Sequence, residues 1–169
     1  MKKNLVLLGM MGAGKTTLGK IVAKKVGLKF IDTDANIEKS CAMKISEIFK
    51  EKGEKYFRLE ESKEVLKSLK ESNTVIALGG GAFLNKTIRN NVLKNAISIW
   101  LDADLKELYK RTKWNHKRPL LDKEDNKEKI QKLYNERKNI YKLANHKIIC
   151  KRMDKNSIAK KIISFYEKQ

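Results

Sequence analysis

Long apolar runs are missing from this sequence, and cysteine, proline and arginine are scarce in it. No apolar stretch is long enough to cross a bilayer, so we expect neither a membrane-spanning helix nor a membrane partner. A glycine-rich turn follows the basic start too soon for the apolar core of a signal peptide. The two cysteines, Cys41 and Cys150, lack metal-binding or redox spacing. These features are typical of a reduced, cytoplasmic protein.

Acidic residues are also few, with 20 of them against 39 lysines and arginines and a formal net charge of +19. Such a charge suits a nucleic-acid partner, but the lysines are spread along the chain without dense blocks or interleaved aromatic residues. We therefore expect solvated helix faces and no nucleic-acid partner. Arginine grips carboxylates and phosphates with a planar fork, so each of the few arginines is a candidate for a specific task. They are Arg58, Arg89, Arg111, Arg118, Arg137 and Arg152.

What the sequence does contain is a complete phosphate-binding pattern near its start. The apolar run Leu5–Leu8 predicts a buried strand, and Gly-x4-Gly-Lys-Thr follows at Gly9–Thr16 before a helix-like segment. Glycines allow backbone N–H groups to approach phosphate oxygens, and the helix dipole favours the same anion. We expect Lys15 to reach the β- and γ-phosphates and the Thr16 hydroxyl to bind Mg²⁺. The other predicted nucleotide-binding residues are Gly12, Ala13, Gly14 and Thr17.

Apolar strands alternate with amphipathic helical segments along the chain. Strands are predicted at 5–8, 29–32, 74–78, 96–101 and 146–150. This alternation predicts an α/β fold, a three-layer sandwich in which helices cover both faces of a five-stranded parallel sheet. We expect a single domain over residues 1–169. The polar stretch at 113–124, which contains the only proline, predicts a mobile surface loop.

Ligands of parallel sheets bind beyond the carboxyl ends of the strands, and three of these ends are chemically distinctive. The phosphate-binding loop is one, Asp32-Thr33-Asp34 is the second, and Gly79-Gly80-Gly81 is the third. On an extended segment alternate side chains point the same way, so Asp32 and Asp34 are predicted to face the phosphate site together. One would bind Mg²⁺ and the other would orient an acceptor hydroxyl. Asp102, at the end of another apolar strand, is an alternative Mg²⁺ ligand.

The phosphate-binding loop indicates a nucleotide but not a reaction. GTPases normally carry an Asn-Lys-x-Asp motif, and the two Asn-Lys sequences of this chain, which begin at Asn85 and Asn126, lack the aspartate. A small kinase needs an acid for Mg²⁺, an acceptor pocket and cationic groups on a closing lid. The acids, the glycine triplet and the scarce arginines can supply all three.

Several further motifs follow the loop along the chain. They are Asp-Thr-Asp at Asp32–Asp34, Gly-Glu-x-x-Phe-Arg-x-x-Glu at Gly53–Glu61, Gly79-Gly80-Gly81-Ala82, Arg111 with Arg118-Pro119-Leu120-Leu121, and Glu136-Arg137-x-x-x-Tyr141. With the loop pattern at Gly9–Gly19, these motifs make essentially the whole chain resemble the shikimate kinase family. The resemblance implies a P-loop NTPase fold of the nucleoside-monophosphate-kinase type, with a mobile lid at about 112–125.

The resemblance also implies a reaction, the ATP-dependent transfer of the γ-phosphoryl group to the 3-hydroxyl of shikimate in aromatic amino-acid biosynthesis. On the donor side, the family pattern assigns Lys15 to the phosphates. It assigns Thr16 and Asp32 to Mg²⁺. Arg118 would reach the transferring phosphoryl group from the lid, which makes it catalytic together with Lys15.

On the acceptor side, the resemblance implies a binding segment at about 33–61. Asp34 would orient the acceptor hydroxyls and act in catalysis. Arg58 and Arg137 would grip the carboxylate of shikimate, and the backbone of Gly79–Gly81 would approach the ring. The chemistry agrees, since a small polyol with one carboxylate calls for planar cationic forks and hydroxyl acceptors.

The residues themselves support the two acceptor arginines. Arg58 has Glu61 three positions further on, which predicts an ion pair on one helix face. Arg137 falls on the apolar stripe of its helix, where an unpaired charge would be costly, so it needs a partner. From spacing alone, a structural salt bridge remains the alternative reading of Arg137.

The nucleotide base and the remaining positions are less sharply defined. The resemblance implies that Arg111 lies by the adenine, and Arg152 is a weaker candidate there because the family's nearby proline is absent. The resemblance also implies that Asp102 is an ordinary acidic residue at the end of a strand and not a Mg²⁺ ligand. Ala42 stands where the family generally has glycine, which we expect to alter the turn before Ile45.

We therefore expect a monomeric kinase that uses ATP and shikimate with Mg²⁺. Another small-molecule P-loop kinase, for gluconate or a nucleoside monophosphate, is the alternative enzyme, because gluconate also offers a carboxylate and hydroxyls. A basic nucleic-acid-binding ATPase is the alternative from another class.

Overall fold

Five parallel strands form the central sheet of the computed structural model, which describes residues 3–112 and 126–168. The strands are β1 (Asn4–Leu8), β2 (Lys29–Asp32), β3 (Thr74–Ala77), β4 (Ala96–Asp102) and β5 (His146–Ile149). Their order across the sheet is β2-β3-β1-β4-β5. β1 lies in the centre, paired with β3 on one side and with β4 on the other.

Helices connect the strands and confirm the predicted α/β fold. In the described part of the chain they are α1 (Lys15–Val26), α2 (Thr33–Cys41), α3 (Ile45–Glu51), α4 (Gly53–Ser68), α5 (Lys86–Asn95), α6 (Leu105–Thr112), α7 (Asn126–Tyr141) and α8 (Lys155–Glu167), with a 3₁₀ turn at Ala82–Leu84. None of these described helices is both long and apolar enough to cross a membrane.

The hydrophobic core is centred on β1 and β4. Every residue of β1 is buried, and β4 is buried from Ala96 to Leu101. Strands that are covered on both faces need apolar side chains at consecutive positions, which is why these two strands have nearly continuous apolar sequences. The central strand is thereby fixed in place, and with it the loop that follows.

A second, smaller apolar cluster joins α2, α3 and α4. Ile37, Ile48 and Phe57 are buried in it, and the rings of Phe49 and Phe57 lie 4.9 Å apart. The cluster belongs to the predicted acceptor-binding segment. It gives these three helices a packing of their own beside the end of the sheet.

The prediction that Asp32 and Asp34 share an extended segment is wrong. β2 ends at Asp32, whose carboxylate accepts a hydrogen bond from the N–H of Ala35 at 3.2 Å. An aspartate in this position satisfies an N–H group that has no partner within the helix, so α2 begins directly at Thr33. Asp34 consequently lies in the first helical turn.

Candidate active site

The turn between β1 and α1 lines a cleft of 690 Å³ beyond the carboxyl ends of the strands. Gly12 and Gly14 have φ angles of +79° and +93°, which glycine adopts readily and other residues do not. The ammonium group of Lys15 donates to the carbonyl oxygens of Gly9 and Met10, at 2.9 Å each. The first turn of α1 also lines the cleft, so the positive end of the helix dipole is directed at any anion bound there.

Two oxygen-bearing side chains meet at the edge of this cleft. The hydroxyl of Thr16, on α1, donates to the Asp32 carboxylate at the end of β2, with 2.6 Å between the oxygens. The sequence predicted both as Mg²⁺ ligands, and the fold brings them together although β3 separates β1 from β2. Hydroxyl and carboxylate oxygens are the donors that Mg²⁺ prefers, so this pair fits the ion.

A metal ion can also be held entirely by protein side chains, which is a different arrangement from the pair of Thr16 and Asp32. Among residues 3–112 and 126–168, no three histidine, cysteine, aspartate or glutamate side chains come together in a way that could hold a metal ion. Mg²⁺ in phosphoryl-transfer sites is usually held by one or two protein oxygens together with substrate phosphates. The Thr16 and Asp32 pair matches that second pattern.

The three glycines after β3, Gly79–Gly81, form a strip against which charged side chains pack. A Cβ atom on Gly79 would lie 2.5 Å from Oδ1 of Asp34 and 2.8 Å from Oε1 of Glu61. A Cβ atom on Gly81 would lie 2.5 Å from a guanidinium nitrogen of Arg58. Only glycine leaves room for these approaches. The strip therefore brings two carboxylates and one arginine fork to the same end of the sheet.

Arg58 is held by two carboxylates of its own helix. Its guanidinium lies 2.8 Å from Glu61, which is almost fully buried, and 3.2 Å from Glu54, which is exposed. Burial disfavours the arginine charge, but the two carboxylates outweigh it and raise the pKa of Arg58. The fork is thus charged and fixed in orientation. The structure shows the predicted pair with Glu61 and adds Glu54, which the sequence analysis did not single out.

Arg137 reaches the same strip from α7. It is 5% exposed, and one of its guanidinium nitrogens lies 3.5 Å from where a Cβ atom on Gly80 would be. Burial raises the pKa of Tyr141, one turn further along the helix, and the nearby charge of Arg137 opposes that shift. The buried arginine therefore lies beside a phenol, which the charge pattern of the sequence did not indicate.

Thr33 is a second contact that sequence reasoning missed. Its hydroxyl donates to the carbonyl oxygen of Ala77 and accepts from the N–H of Gly79, both at 3.2 Å. The residue is fully buried. It fastens the start of α2 to the end of β3, and so holds Asp34 against the glycine strip. The sequence analysis gave Thr33 no role of its own.

Arg111 and Arg152, the two residues predicted to lie by the nucleotide base, are placed differently relative to the cleft. Arg111 lines the cleft and donates to the carbonyl oxygen of Gly12 at 3.2 Å. Arg152 is exposed in a left-handed turn with a φ angle of +56°. Among the described residues after β5, Met153 and Lys155 line the cleft, and Arg152 does not.

Asp102, the alternative Mg²⁺ ligand, is engaged elsewhere. Its carboxylate accepts from the Tyr134 hydroxyl at 3.1 Å and pairs with the ammonium of Lys147 at 2.8 Å. The two contacts join the end of β4 to α7 and β5. Arg118 and the predicted lid at about 112–125, apart from Thr112, lie outside the described residues.

These features define a class of protein, a P-loop phosphotransferase with a nucleotide cleft beside a pocket for a small anionic acceptor. The shikimate kinase family model matches residues 11–167. The shikimate kinase of Bartonella quintana is 44% identical over 162 residues, which cover 96% of this chain and 77% of that protein. The chain therefore belongs to the shikimate kinase family.

Solved structures agree with this assignment. A shikimate kinase from Acinetobacter baumannii, in complex with shikimate, superposes with a TM-score of 0.95 and 30% identity, covering 99% of this chain and 94% of that one. A gluconokinase from Sinorhizobium meliloti has a TM-score of 0.63 at 13% identity, with 99% of this chain and 93% of that one covered. At that identity the likeness concerns the fold alone.

Proposed function

We propose that this protein transfers the γ-phosphoryl group of ATP to the 3-hydroxyl of shikimate, giving shikimate 3-phosphate and ADP. Membership of the family supports the reaction. The single observation that carries it to this chain is the glycine strip, where Asp34, Arg58 and Arg137 converge beside the phosphate-binding loop. Two guanidinium forks suit a carboxylate, and one carboxylate suits hydroxyl groups, so the pocket fits a small polyol acid.

The donor half of the site would bind ATP through the loop. Backbone N–H groups of the loop and the dipole of α1 would hold the phosphates, and Lys15 would follow the β- and γ-phosphates by leaving the carbonyl oxygens of Gly9 and Met10. Thr16 and Asp32 would hold Mg²⁺, which neutralises charge on the phosphate oxygens when it is bound. Arg111 would contact the base side of the nucleotide, and Arg118 would act on the transferring phosphoryl group.

The acceptor half would position shikimate rather than activate it strongly. Arg58 and Arg137 would bind the carboxylate, and the glycine strip would let the ring approach the backbone. Asp34 would accept a hydrogen bond from the attacking hydroxyl and aim its oxygen at the γ-phosphorus. Phosphoryl transfer passes through a loose transition state, so alignment and charge stabilisation supply most of the catalysis.

A coupled assay of ADP release tests the reaction. The purified protein with ATP and Mg²⁺ should release ADP with shikimate, and not with gluconate or nucleoside monophosphates. Phosphorus NMR of the product should show a phosphate monoester on the 3-hydroxyl. Turnover of gluconate in the absence of turnover with shikimate would refute the proposal.

The roles assigned to the acceptor residues are tested by Arg58→Ala. Removal of one carboxylate fork should raise the KM for shikimate about a hundredfold, because a charged bidentate contact is lost, and leave the KM for ATP within about twofold. Lys63→Ala is the matched control, since it removes a surface cation of the same helix that pairs, among the described residues, with the partly exposed Glu60. Loss of ATP affinity with an unchanged shikimate KM would contradict the assignment.

We also infer that the enzyme acts as a monomer in the cytoplasm. The described residues of both half-sites come from one chain, ATP is a cytoplasmic substrate, and both cysteines are free thiols. Light scattering at assay concentration should give the mass of one chain. A dimer mass would refute the inferred oligomeric state without affecting the proposed reaction.

A further inference from the structure

Tyr141 lies at the end of α7, one helical turn after Arg137, and is fully buried. Its ring packs against Trp100 with 5.8 Å between centroids, so the aromatic body belongs to the core. The hydroxyl lies at the other side of the residue, where the core meets the glycine strip. A phenol in that position must find hydrogen-bond partners, because an unpaired buried hydroxyl is costly.

The hydroxyl donates to the carbonyl oxygen of Gly80, which can only accept, so the direction of this hydrogen bond is fixed. The guanidinium of Arg137 lies against the same glycine, with one nitrogen 3.5 Å from where a Cβ atom on Gly80 would be, and its charge acts on the phenol. The sulfur of Met10, in the phosphate-binding loop, lies 4.0 Å from the hydroxyl oxygen.

Burial raises the pKa of Tyr141, which keeps the hydroxyl in the protonated form that can donate. The bond to Gly80 has a consequence for the next residue. A peptide group is planar and trans, so a fixed carbonyl of Gly80 also fixes the N–H of Gly81 in the opposite direction. One hydroxyl thus fixes a peptide plane against which an arginine fork lies.

We propose that Tyr141 is a positioning residue for the acceptor, which sets the orientation of Arg137 and of the Gly80–Gly81 peptide. The role rests on the proposed function, since both groups belong to the proposed shikimate pocket. Tyr141 does not touch the acceptor itself. It acts through the two groups that do, and it links their geometry to the strand that carries the phosphate-binding loop.

Tyr141→Phe tests this role because it keeps the ring and removes only the hydroxyl. The KM for shikimate should rise roughly tenfold, because the Gly80–Gly81 peptide and the Arg137 fork beside it lose their fixed orientation, while the KM for ATP stays within about twofold. Tyr134→Phe is the matched control: it removes a hydroxyl from the same helix whose partner is Asp102. It should leave the shikimate KM unchanged.

A shikimate KM within about twofold of wild type in Tyr141→Phe would overturn the proposal. Equal rises in the KM values for both substrates would also overturn it, because they would indicate a general loss of structure. If the wild-type protein does not phosphorylate shikimate, the proposed function fails, and the proposal fails with it. In that case the orientation of the peptide can still be measured separately.

NMR of the protein without substrate provides that separate measurement. In wild type, the Tyr141 hydroxyl proton should exchange slowly with water, as a buried donor does. The amide resonance of Gly81 should move in Tyr141→Phe and not in Tyr134→Phe. A rapidly exchanging hydroxyl in the wild-type protein would refute the positioning role independently of activity and of the stability of any variant.

Discussion

Ala42 holds a backbone conformation that costs alanine free energy. It ends α2 with a φ angle of +50°, and its N–H bonds to carbonyl oxygens of Glu38 and Lys39. The sequence led us to expect an altered turn here, since the family generally has glycine. The structure instead shows the left-handed conformation that glycine favours, occupied by an exposed alanine.

Ala42→Gly should therefore stabilise the protein. Relief of the left-handed strain outweighs the greater flexibility of glycine in the unfolded chain by about 0.5–1 kcal/mol, which raises Tm by about 2 °C. The reciprocal control is Gly27→Ala, at a φ angle of +69° where a Cβ atom meets nothing within 4 Å. That change should lower Tm by a similar amount. Calorimetry measures both, and a lower Tm for Ala42→Gly would show that the turn is not strained.

Cys150 is a second residue whose surroundings set its chemistry. Burial, with a contribution from the charge of Asp102, raises the pKa of its thiol from 9.0 to about 11. The thiolate is the reactive form, so at pH 8 its population should be about a hundredfold lower than that of a thiol with pKa 9.

Alkylation by iodoacetamide in the Cys41→Ser variant measures this pKa. The rate at Cys150 should keep rising tenfold for each pH unit up to about pH 10, because the thiol titrates only above that. A rate that levels near pH 9 would contradict the raised pKa. The urea-unfolded variant provides the reference, since its thiol is no longer buried.

At the scale of elements, the glycine strip is the part of the site that leaves the least room for a larger side chain. Gly81→Ala would place a Cβ atom 2.5 Å from the guanidinium of Arg58. The guanidinium is the end of a long side chain and can move, at the cost of its bonds to Glu61 and Glu54. We therefore expect a roughly tenfold higher KM for shikimate with only a small loss of stability.

Steady-state kinetics and thermal unfolding of Gly81→Ala separate these two effects. Gly27→Ala again serves as the control, because a Cβ atom there meets nothing within 4 Å, and it should leave the KM for shikimate unaltered. A Gly81→Ala enzyme with an unchanged shikimate KM would show that the strip does not position Arg58. Unfolding of the variant at ambient temperature would show that the close approach is structural.

The elements themselves were predictable where the apolar period was regular. The strand predicted at 29–32 is found at Lys29–Asp32, and the one predicted at 96–101 is found at Ala96–Asp102. The error at Asp34 arose because capping by Asp32 competes with strand extension, and a carboxylate can do either. Thr33 and Tyr141 were missed for another reason. Their hydroxyls bind backbone carbonyl groups, and a sequence does not show which carbonyl will be near.

At the scale of the whole molecule, the net charge of +19 acts against compactness. Like charges repel one another more in the folded state, and salt screens that repulsion. Tm should therefore rise by a few degrees between 20 and 200 mM NaCl, roughly one decade in ionic strength. Sucrose at matched osmolality, which does not screen charge, is the control. A Tm that falls with salt would indicate that ion pairs outweigh the repulsion.

How much of the architecture the sequence reveals also depends on scale. The alternation of strands and helices was enough to predict the parallel sheet. The motifs at Asp32–Asp34 and Gly79–Gly81 located two of the strand ends that carry site residues. Neither the alternation nor the motifs could predict the order of the strands across the sheet. It depends on which apolar faces pack together, and β1 and β3 are far apart in the chain. The contact between Thr16 and Asp32 follows from that order.

The central position of β1 has a consequence for synthesis. The strand that carries the phosphate-binding loop is made before both of its neighbours, which follow at Thr74–Ala77 and Ala96–Asp102. β1 has no strand to pair with until Ala77 has been made, and its second neighbour is complete only at Asp102. Chains grow at about 5–20 residues per second, so the nascent loop waits for seconds. The phosphate-binding loop is thus made well before the neighbouring strands that hold its own strand in the sheet.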